Sequence, residues 1–266
     1  MNFDISKVRH PKEKLYGLLT KLIGSFAWLV IACLLVVTSA LFVVAFYALI
    51  IWFFSYIFKS LVSAYMMGHH VLISEKQFPH VHKMVAESAK KLGLRETPQA
   101  FVYNSAGVMN AMAPTLVGRT RYIWLTSALI DADSDEQVRF VIGHELGHHV
   151  AGHLDKALNL LRLPGLLIPF LGQAYLRARE LTCDRVGLFV CGDMTASRTA
   201  LQMLACGSAK LNKQMNPDAF EEQEKMVPAI AGFFLKIVSC YPRHTRRVAA
   251  LGEWKNALND MQPPNI

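Results

Sequence analysis

Cysteine and acidic side chains are both scarce in this sequence, and each shortage limits what the protein can be. Only five of the 266 residues are cysteines, and no two of them have the C-x-x-C spacing of zinc or redox motifs. Their odd number and irregular spacing favour a reducing compartment over a disulfide framework. The 20 acidic residues are outnumbered by 28 Lys and Arg, which leaves a net charge of +8.

The excess of basic residues does not form the pattern of a nucleic-acid-binding protein. It lacks the aromatic-interleaved basic stripe that binders of single strands use. Instead, basic residues cluster before a long apolar run, and such residues mark the end of a span that stays in the cytoplasm. We therefore predict a lipid bilayer as a partner and no nucleic acid. The basic residues before the run are Lys7, Arg9, Lys12, Lys14 and Lys21.

Charged residues are absent between Lys21 and Lys59. A helix needs about 20 apolar residues to cross a hydrocarbon core of about 30 Å, and this run is nearly twice as long. It predicts either one long tilted helix or a hairpin that turns near Thr38 and Ser39. The hairpin is favoured because it returns both ends to the cytoplasm, in agreement with the cysteine pattern. A cleaved signal peptide is the alternative, but its apolar region is only about 7–15 residues long.

The chain is predicted to have four segments, of which the last is globular. That part is expected to be α+β and mainly helical, with a helix over Val81 to Leu92 and a small β-sheet. The segments are a basic leader (1–21), a transmembrane anchor (22–58), a connector (59–78) and a globular domain (79–266). The β-rich pieces are Ala100–Tyr103, Val108–Ala113 and Tyr122–Thr126.

Two further apolar stretches are too short or too interrupted to be independent spans. Proline and glycine break the stretch from Leu158 to Leu176, which predicts a membrane-touching or lid-like segment. A helix is expected from about Ala174 to Cys191. The stretch from Ile230 to Val238 is predicted to lie in the core.

Residues 144–148 read His-Glu-Leu-Gly-His, a pattern typical of a metal site. On a helix, positions four apart lie on one face, so His144 and His148 can offer imidazole nitrogens to one ion. Glu145 stands beside the first histidine, where it can act as general base toward water at that ion. Ser134 and Gln137 form a capping box that starts this helix. Paired surface histidines are the alternative interpretation.

Catalytic zinc usually has three protein ligands, so a third ligand is expected downstream. Glu180 is the best candidate, because Asp184 lies four residues later on the same face of a predicted helix. Asp184 can receive the second N–H of a ligating histidine, which fixes its tautomer. The alternative is an ion-paired helix face, in which the two carboxylates meet Arg177, Arg179 and Arg185.

Two nearby histidines are interpreted as structural or interfacial. His153 misses the register of a three-histidine H-E-x-x-H-x-x-G-x-x-H site by one residue, because that position holds Leu154. His149 points to a different face of the helix from His148.

An ordered set of motifs resembles the zinc metallopeptidase family of HtpX-type heat-shock proteases and CAAX prenyl endopeptidases. The resemblance covers about residues 79–251. Its motifs are Asn110-Ala111, Ser134-Asp135-Glu136-Gln137, His144 to His148, Ala178 to Asp184, Tyr241-Pro242 and Arg247-Val248.

The resemblance implies a zincin-like metallopeptidase domain with one Zn²⁺ per chain, bound by His144, His148 and Glu180. It also implies that Asp184 supports a ligand. The strand that carries Asn110 and Ala111 looks like the edge that holds the substrate backbone. The family often has His-Pro where this chain has Tyr241-Pro242; Tyr241 or the nearby His244 is then the candidate that stabilises the oxyanion.

The predicted function is zinc-dependent endopeptidase activity on a protein or peptide substrate, in membrane protein quality control or processing. The protein is predicted to lie in a membrane, namely the inner or cell membrane of a bacterium. Its catalytic domain is predicted to face the cytoplasm. The alternative is a non-catalytic, zinc-containing membrane scaffold or chaperone that binds unfolded chains. Tyr241 keeps that alternative open, whereas Glu145 argues against it because a structural site needs no general base.

Overall fold

The computed structural model describes residues 3–38, 40–114 and 121–260, the last five of them as backbone only. Helices dominate these residues and four short strands accompany them, so the predicted fold class is confirmed. The strands are β1 (Val71–Ile73), β2 (Gln99–Tyr103), β3 (Ala111–Met112) and β4 (Tyr122–Thr126). The helices of the first half are α1 (Ile5–Val8), α2 (Pro11–Val37), α3 (Leu41–His69), α4 (Pro79–Lys91), α5 (Ser127–Ala132) and α6 (Asp135–Val150). Those of the second half are α7 (Lys156–Leu166), α8 (Leu171–Cys191), α9 (Met194–Cys206), α10 (Ala209–Asn212), α11 (Pro217–Glu222), a 3₁₀ turn (Gln223–Met226), α12 (Ala229–Val238) and α13 (His244–Asp260).

Two helices, α2 and α3, are long and apolar enough to cross a membrane. Most of their large apolar side chains are exposed, so these helices are not core helices of the domain. The break between them falls at the predicted turn, of which Ser39 lies outside the described residues. Both helices continue past the apolar run, α2 into the predicted leader and α3 into the predicted connector. The four segment boundaries remain predictions.

The strands form one mixed sheet in the order β1-β2-β4-β3. The central pair, β2 and β4, is parallel, and the two outer strands pair antiparallel to it. Strand β3 is much shorter than the β-rich pattern over Val108–Ala113 predicts. It pairs with β4 on one side and forms an edge of the sheet beside α6.

Helices α6 and α8 cross closely at the centre of the domain, and glycines on both helices allow it. A Cβ atom on Gly143 would lie 2.7 Å from Cβ of Val190, and one on Gly187 would lie 2.8 Å from the carbonyl oxygen of Phe140. A Cβ on Gly147 would meet Cys183 at 3.1 Å. The crossing therefore brings the His-Glu-Leu-Gly-His turn of α6 against the Glu180–Asp184 turn of α8.

The interrupted apolar stretch after residue 156 folds back along α2. It forms α7 and the first turns of α8, and Trp28 of α2 donates its indole N–H to the carbonyl of Leu160 at 2.9 Å. Several large apolar side chains of this stretch, such as Leu160 and Leu167, remain exposed. Whether they touch a membrane or act as a lid stays a prediction.

The prediction that Ile230–Val238 lies in the core is wrong. This stretch forms α12, and most of its large side chains, including Ile230 and Phe233, are exposed to more than half of their area. The reason is that the small residue Gly232 makes the close contact with the domain, beside Val227 and Arg243. The bulky side chains are therefore left on the outer face.

Candidate active site

Helix α6 carries the first three predicted site residues. The Ser134 hydroxyl accepts from the Gln137 backbone N–H at 3.3 Å, and the Gln137 side chain accepts from the Ser134 N–H at 2.7 Å, so the predicted capping box is present. About one turn of uncharged residues, Phe140 to Gly143, precedes His144. His144 and Glu145 are each only 6% exposed, so paired surface histidines do not describe this site.

Glu180 on α8 faces both histidines. Its Oε2 lies 3.3 Å from Nε2 of His144, and its Oε1 lies 3.7 Å from Nε2 of His148. Oε2 is buried but accepts no well-formed hydrogen bond from the described residues. Two imidazole nitrogens and a carboxylate oxygen that lacks a partner are a donor set suited to zinc. These residues therefore fit the predicted ligand set.

Asp184 lies behind His144, one helical turn beyond Glu180. Its Oδ1 is 2.9 Å from Nδ1 of His144, which turns the opposite nitrogen, Nε2, toward Glu180. Arg247 of α13 donates to both oxygens of Asp184, from Nε at 2.9 Å and from NH2 at 2.6 Å. The alternative in which Glu180 and Asp184 form ion pairs with neighbouring arginines of α8 is therefore not what the structure has.

The carboxylates strongly bias the protonation of this cluster. Burial alone would lower the pKa of His144, but Asp184 and Glu180 outweigh it and raise the pKa to about 10. Burial raises the pKa of Glu180, and the facing histidines overcome this and bring it below its usual range. The site is thus built for a positive charge between His144 and Glu180, which a proton or a metal cation can supply.

His148 is supported from a different direction. Burial keeps its pKa well below the ordinary value, so the imidazole is neutral, as a metal ligand must be. Its Nδ1 lies 3.1 Å from Nδ1 of His153, and Nε2 of His153 lies 3.1 Å from Oε1 of Glu13. Glu13 belongs to α2 and is 1% exposed. Glu13 was not among the predicted site residues, and no local pattern signals it, because 140 residues separate it from His153.

Glu145 is buried beside the ligand cluster and opens on a small cavity. Burial raises its pKa to about 7, against the opposing effect of His144. The cavity measures about 30 Å³, and its walls include His144, Glu145, Tyr241 and the predicted substrate-binding residues Asn110 and Ala111. A carboxylate with a pKa near neutrality at such a position suits a general base.

Asn110 and Ala111 lie at the exposed edge of the sheet. The backbone N–H of Asn110 donates to the Thr126 hydroxyl at 3.1 Å, and its side-chain oxygen accepts from the Ala111 N–H at 2.9 Å. The first bond ties the residue before β3 to the end of β4, so that β3 forms the edge strand of the sheet in the described residues.

Of the two candidates for oxyanion stabilisation, the structure brings Tyr241 to the cavity. Tyr241 is 47% exposed as a whole, but the desolvation of its hydroxyl raises the pKa of this phenol, so it stays protonated. Arg247 donates from NH1 to the Tyr241 hydroxyl at 3.2 Å, and its guanidinium carbon lies 5.0 Å from the ring centre. His244 begins α13 and is not among the residues that line the cavity.

Cys183, which was not a predicted site residue, is a further side chain near the two histidines. Its sulfur lies within 4.8 Å of ligand atoms of both His144 and His148. Burial raises the pKa of the thiol well above its ordinary value, and the sulfur lies 3.6 Å from Nδ1 of His153. Zinc deprotonates a thiol that binds it, so Cys183 and Glu180 are both candidate third donors, and the Glu180 oxygens are the ones that face Nε2 of both histidines.

The interpretation of His149 as structural agrees with its position. Its Nε2 lies 3.2 Å from the backbone oxygen of Tyr122 in β4, away from the ligand cluster. Burial lowers its pKa to about 4.

Comparisons with known proteins relate the chain to one peptidase family. Residues 75–168 match the sequence model described as Peptidase family M48. The chain is 30% identical over 214 residues to the plastoglobule-localized metallopeptidase 48, chloroplastic, of Arabidopsis thaliana, which covers 72% of this chain and 61% of that protein. It is 25% identical over 264 residues to the Protease HtpX homolog of Sulfurihydrogenibium sp. (strain YO3AOP1), which covers 81% of this chain and 86% of that protein.

A solved structure shares the fold. The crystal structure of S. mikatae Ste24p matches with a TM-score of 0.51 and 13% sequence identity, over 76% of this chain and 56% of that chain. The chain thus spans about three fifths of the Arabidopsis protein and a little over half of Ste24p. The family model, the named relatives and the shared fold confirm the resemblance inferred from the motifs.

Proposed function

We propose that this chain is a membrane-anchored zinc endopeptidase in which His144, His148 and Glu180 hold the metal. The observation that carries the proposal is the convergence of two Nε2 atoms on the Glu180 carboxylate, within 3.3 and 3.7 Å, beside the buried Glu145. The M48 match supports a metalloprotease. Helices α2 and α3, which can cross a bilayer, support membrane association.

When bound, zinc supplies a Lewis acid that polarises a peptide carbonyl and makes water more acidic. The chain's own residues supply the proton transfers. Glu145 accepts a proton from the attacking water and passes it to the leaving amine, and its raised pKa of about 7 suits both steps. Removing the carboxylate as in Glu145→Gln keeps the size of the side chain but leaves no base.

Tyr241 is the proposed donor to the oxyanion that forms when water attacks the carbonyl. Its phenol remains protonated, and Arg247, which also lines the cavity, orients the hydroxyl by donating to its oxygen at 3.2 Å. One well-placed donor is worth about 10²–10³ in kcat. A Tyr241→Phe variant, which loses only the hydroxyl, should therefore keep zinc and lose about that much activity.

The substrate backbone is proposed to bind as an added strand along Asn110 and Ala111. Strand addition uses main-chain hydrogen bonds, so it accepts substrates of many sequences. This breadth fits the proposed role in membrane protein quality control or processing. The cytoplasm is the proposed location of the domain, because the hairpin of α2 and α3 returns both ends to the side of the basic residues.

The test is digestion of an unfolded model protein by the full chain in detergent, beside Glu145→Gln and a chelated sample, with zinc quantified in each. We expect cutting by the wild type alone and equal zinc in the two unchelated proteins. Cutting by Glu145→Gln at the wild-type rate would remove Glu145 from its role. Stoichiometric zinc without any cutting would instead favour the non-catalytic scaffold.

A further inference from the structure

The N-terminal segment, residues 3–13, lies against the peptidase domain instead of extending into solvent. It makes contacts with α8 and with the end of α6, and these contacts fix the start of α2. They are Arg9 NH2 to the Ala151 carbonyl at 2.8 Å, the His10 backbone N–H to the Thr182 hydroxyl at 2.9 Å, Arg185 NH1 to the Val8 carbonyl at 3.3 Å, and the Phe3 and Phe189 rings at 5.1 Å.

This docking places one carboxylate of the segment inside the domain. Glu13 and its partner His153 are each 1% exposed, and Glu13 also pairs with Arg9. A buried charge is costly unless it has such partners. The packing of α2 therefore fixes the position of the Glu13 carboxylate, which lacks the freedom of a side chain on the surface.

The hydrogen-bond chain from Glu13 to His148 permits one arrangement of protons when both histidines are neutral. A carboxylate only accepts, so Nε2 of His153 carries the proton and donates to Glu13. Nδ1 of His153 is then an acceptor, and Nδ1 of His148, 3.1 Å away, is the donor. The lone pair of His148 is consequently on Nε2, the atom that faces Glu180.

The two proposed metal ligands of α6 are thus oriented by two carboxylates. Asp184 holds Nδ1 of His144 directly, from α8. We propose that Glu13 is a positioning residue for His148, acting through His153, so that the N-terminal segment completes the metal site. This rests on the proposed function, because it takes His148 as a ligand.

One other group competes for the same acceptor. The sulfur of Cys183 lies 3.6 Å from Nδ1 of His153, and as a thiol it can donate there weakly. The imidazole N–H of His148 is the stronger donor and the nearer one, at 3.1 Å. The proton order therefore follows from Glu13 even with Cys183 present.

The test measures zinc affinity of the full chain in detergent by competition with a chromogenic chelator. Glu13→Met keeps the length of the side chain but cannot accept a hydrogen bond, and we expect a loss of affinity of about 10–100-fold, typical for partners behind a ligand. Glu13→Gln retains an accepting oxygen and should recover most of that loss. The matched control is Trp28→Phe, which removes another contact of α2, its bond to Leu160, and should leave zinc affinity unchanged.

A double-mutant cycle shows whether Glu13 acts through His153. In the background of His153→Leu, the further change Glu13→Met should add less than about 2-fold, because the link to His148 is already broken. The visible spectrum of the Co²⁺-loaded protein should change with Glu13→Met and return toward wild type with Glu13→Gln. If Glu13→Met does not fold, Glu13→Ala, which also lacks an acceptor and fills less space, takes its place in the cycle.

Three results would overturn the inference. The first is a zinc affinity of Glu13→Met equal to that of the wild type. The second is a loss of affinity from Glu13→Met that is the same in the His153→Leu background as in the wild type. The third is a loss of affinity in Trp28→Phe as large as in Glu13→Met. A wild-type chain that binds no zinc would reject the proposed function as well. Zinc binding without proteolysis would count against the enzyme, yet it would leave the role of Glu13 measurable.

Discussion

The buried ion pair between Arg247 and Asp184 supports the site from behind, and breaking it should destabilise the fold. Both side chains are 1% exposed, and the guanidinium holds both carboxylate oxygens. Replacing Arg247 with Met leaves Asp184 charged and buried, with His144 as its remaining partner among the described residues. Removing one member of a buried pair costs about 3–5 kcal/mol.

The assay is thermal unfolding of the full chain in detergent, followed by circular dichroism. In a protein of this size, 1 kcal/mol corresponds to about 2–4 °C, so Arg247→Met should lower the Tm by about 6–20 °C. The neighbouring Arg246 provides a matched control, because it pairs with Glu253 at 2.7 and 2.9 Å on the surface. A surface pair is worth at most about 1 kcal/mol. Equal Tm shifts in Arg246→Met and Arg247→Met would refute the reasoning.

Three further predictions concern packing, pH and metal. A Cβ at position 147 would meet Cys183 at 3.1 Å, so Gly147→Ala should lower the free energy of unfolding by about 1–3 kcal/mol. A Cβ at position 68 has no atom within 4 Å, so Gly68→Ala is the control and should not destabilise the fold. Burial lowers the pKa of His149 to about 4 in the folded chain. As the pH falls from about 6.5 to 4, the unfolded chain therefore binds a proton at His149 before the folded chain does, and up to about 3 kcal/mol of the free energy of unfolding is lost. His149→Gln should remove this loss, so its Tm should fall less than that of the wild type over the same pH range. Zinc at 100 times its Kd should raise stability by about 2.7 kcal/mol, and a Tm rise of the same size in His148→Ala would contradict the ligand set.

The parts of the site that the sequence predicts are those encoded within one helix. The capping box of Ser134 and Gln137 and the i,i+4 pair of His144 and His148 depend on helical spacing alone, so the structure has them as predicted. Glu180 lies on another helix, so helical spacing alone does not show that it meets His144 and His148. That prediction also needed the order of the motifs along the chain. The close crossing of α6 and α8 at Gly147 supplies that contact.

Features that depend on long-range packing could not be predicted. Glu13 reads as one acid in a basic leader, and only the docking of α2 brings it to His153. The exposure of α12 was missed because hydropathy does not tell whether the small or the large side chains of a short helix make the contact, here through Gly232. Arg247 was part of a motif, but its pairing with Asp184 follows from the fold of α13.

The central claim is that two imidazoles and the Glu180 carboxylate hold zinc. X-ray absorption at the zinc edge, recorded on the full chain loaded with one Zn²⁺, tests it most directly. Nitrogen and oxygen ligands lie about 2.0–2.2 Å from zinc, whereas a thiolate lies at about 2.3 Å. We predict a shell of light atoms that contains two imidazoles and no sulfur, and that loses one oxygen ligand in Glu180→Ala. A sulfur shell that disappears in Cys183→Ala would instead assign the third ligand to Cys183 and contradict the account.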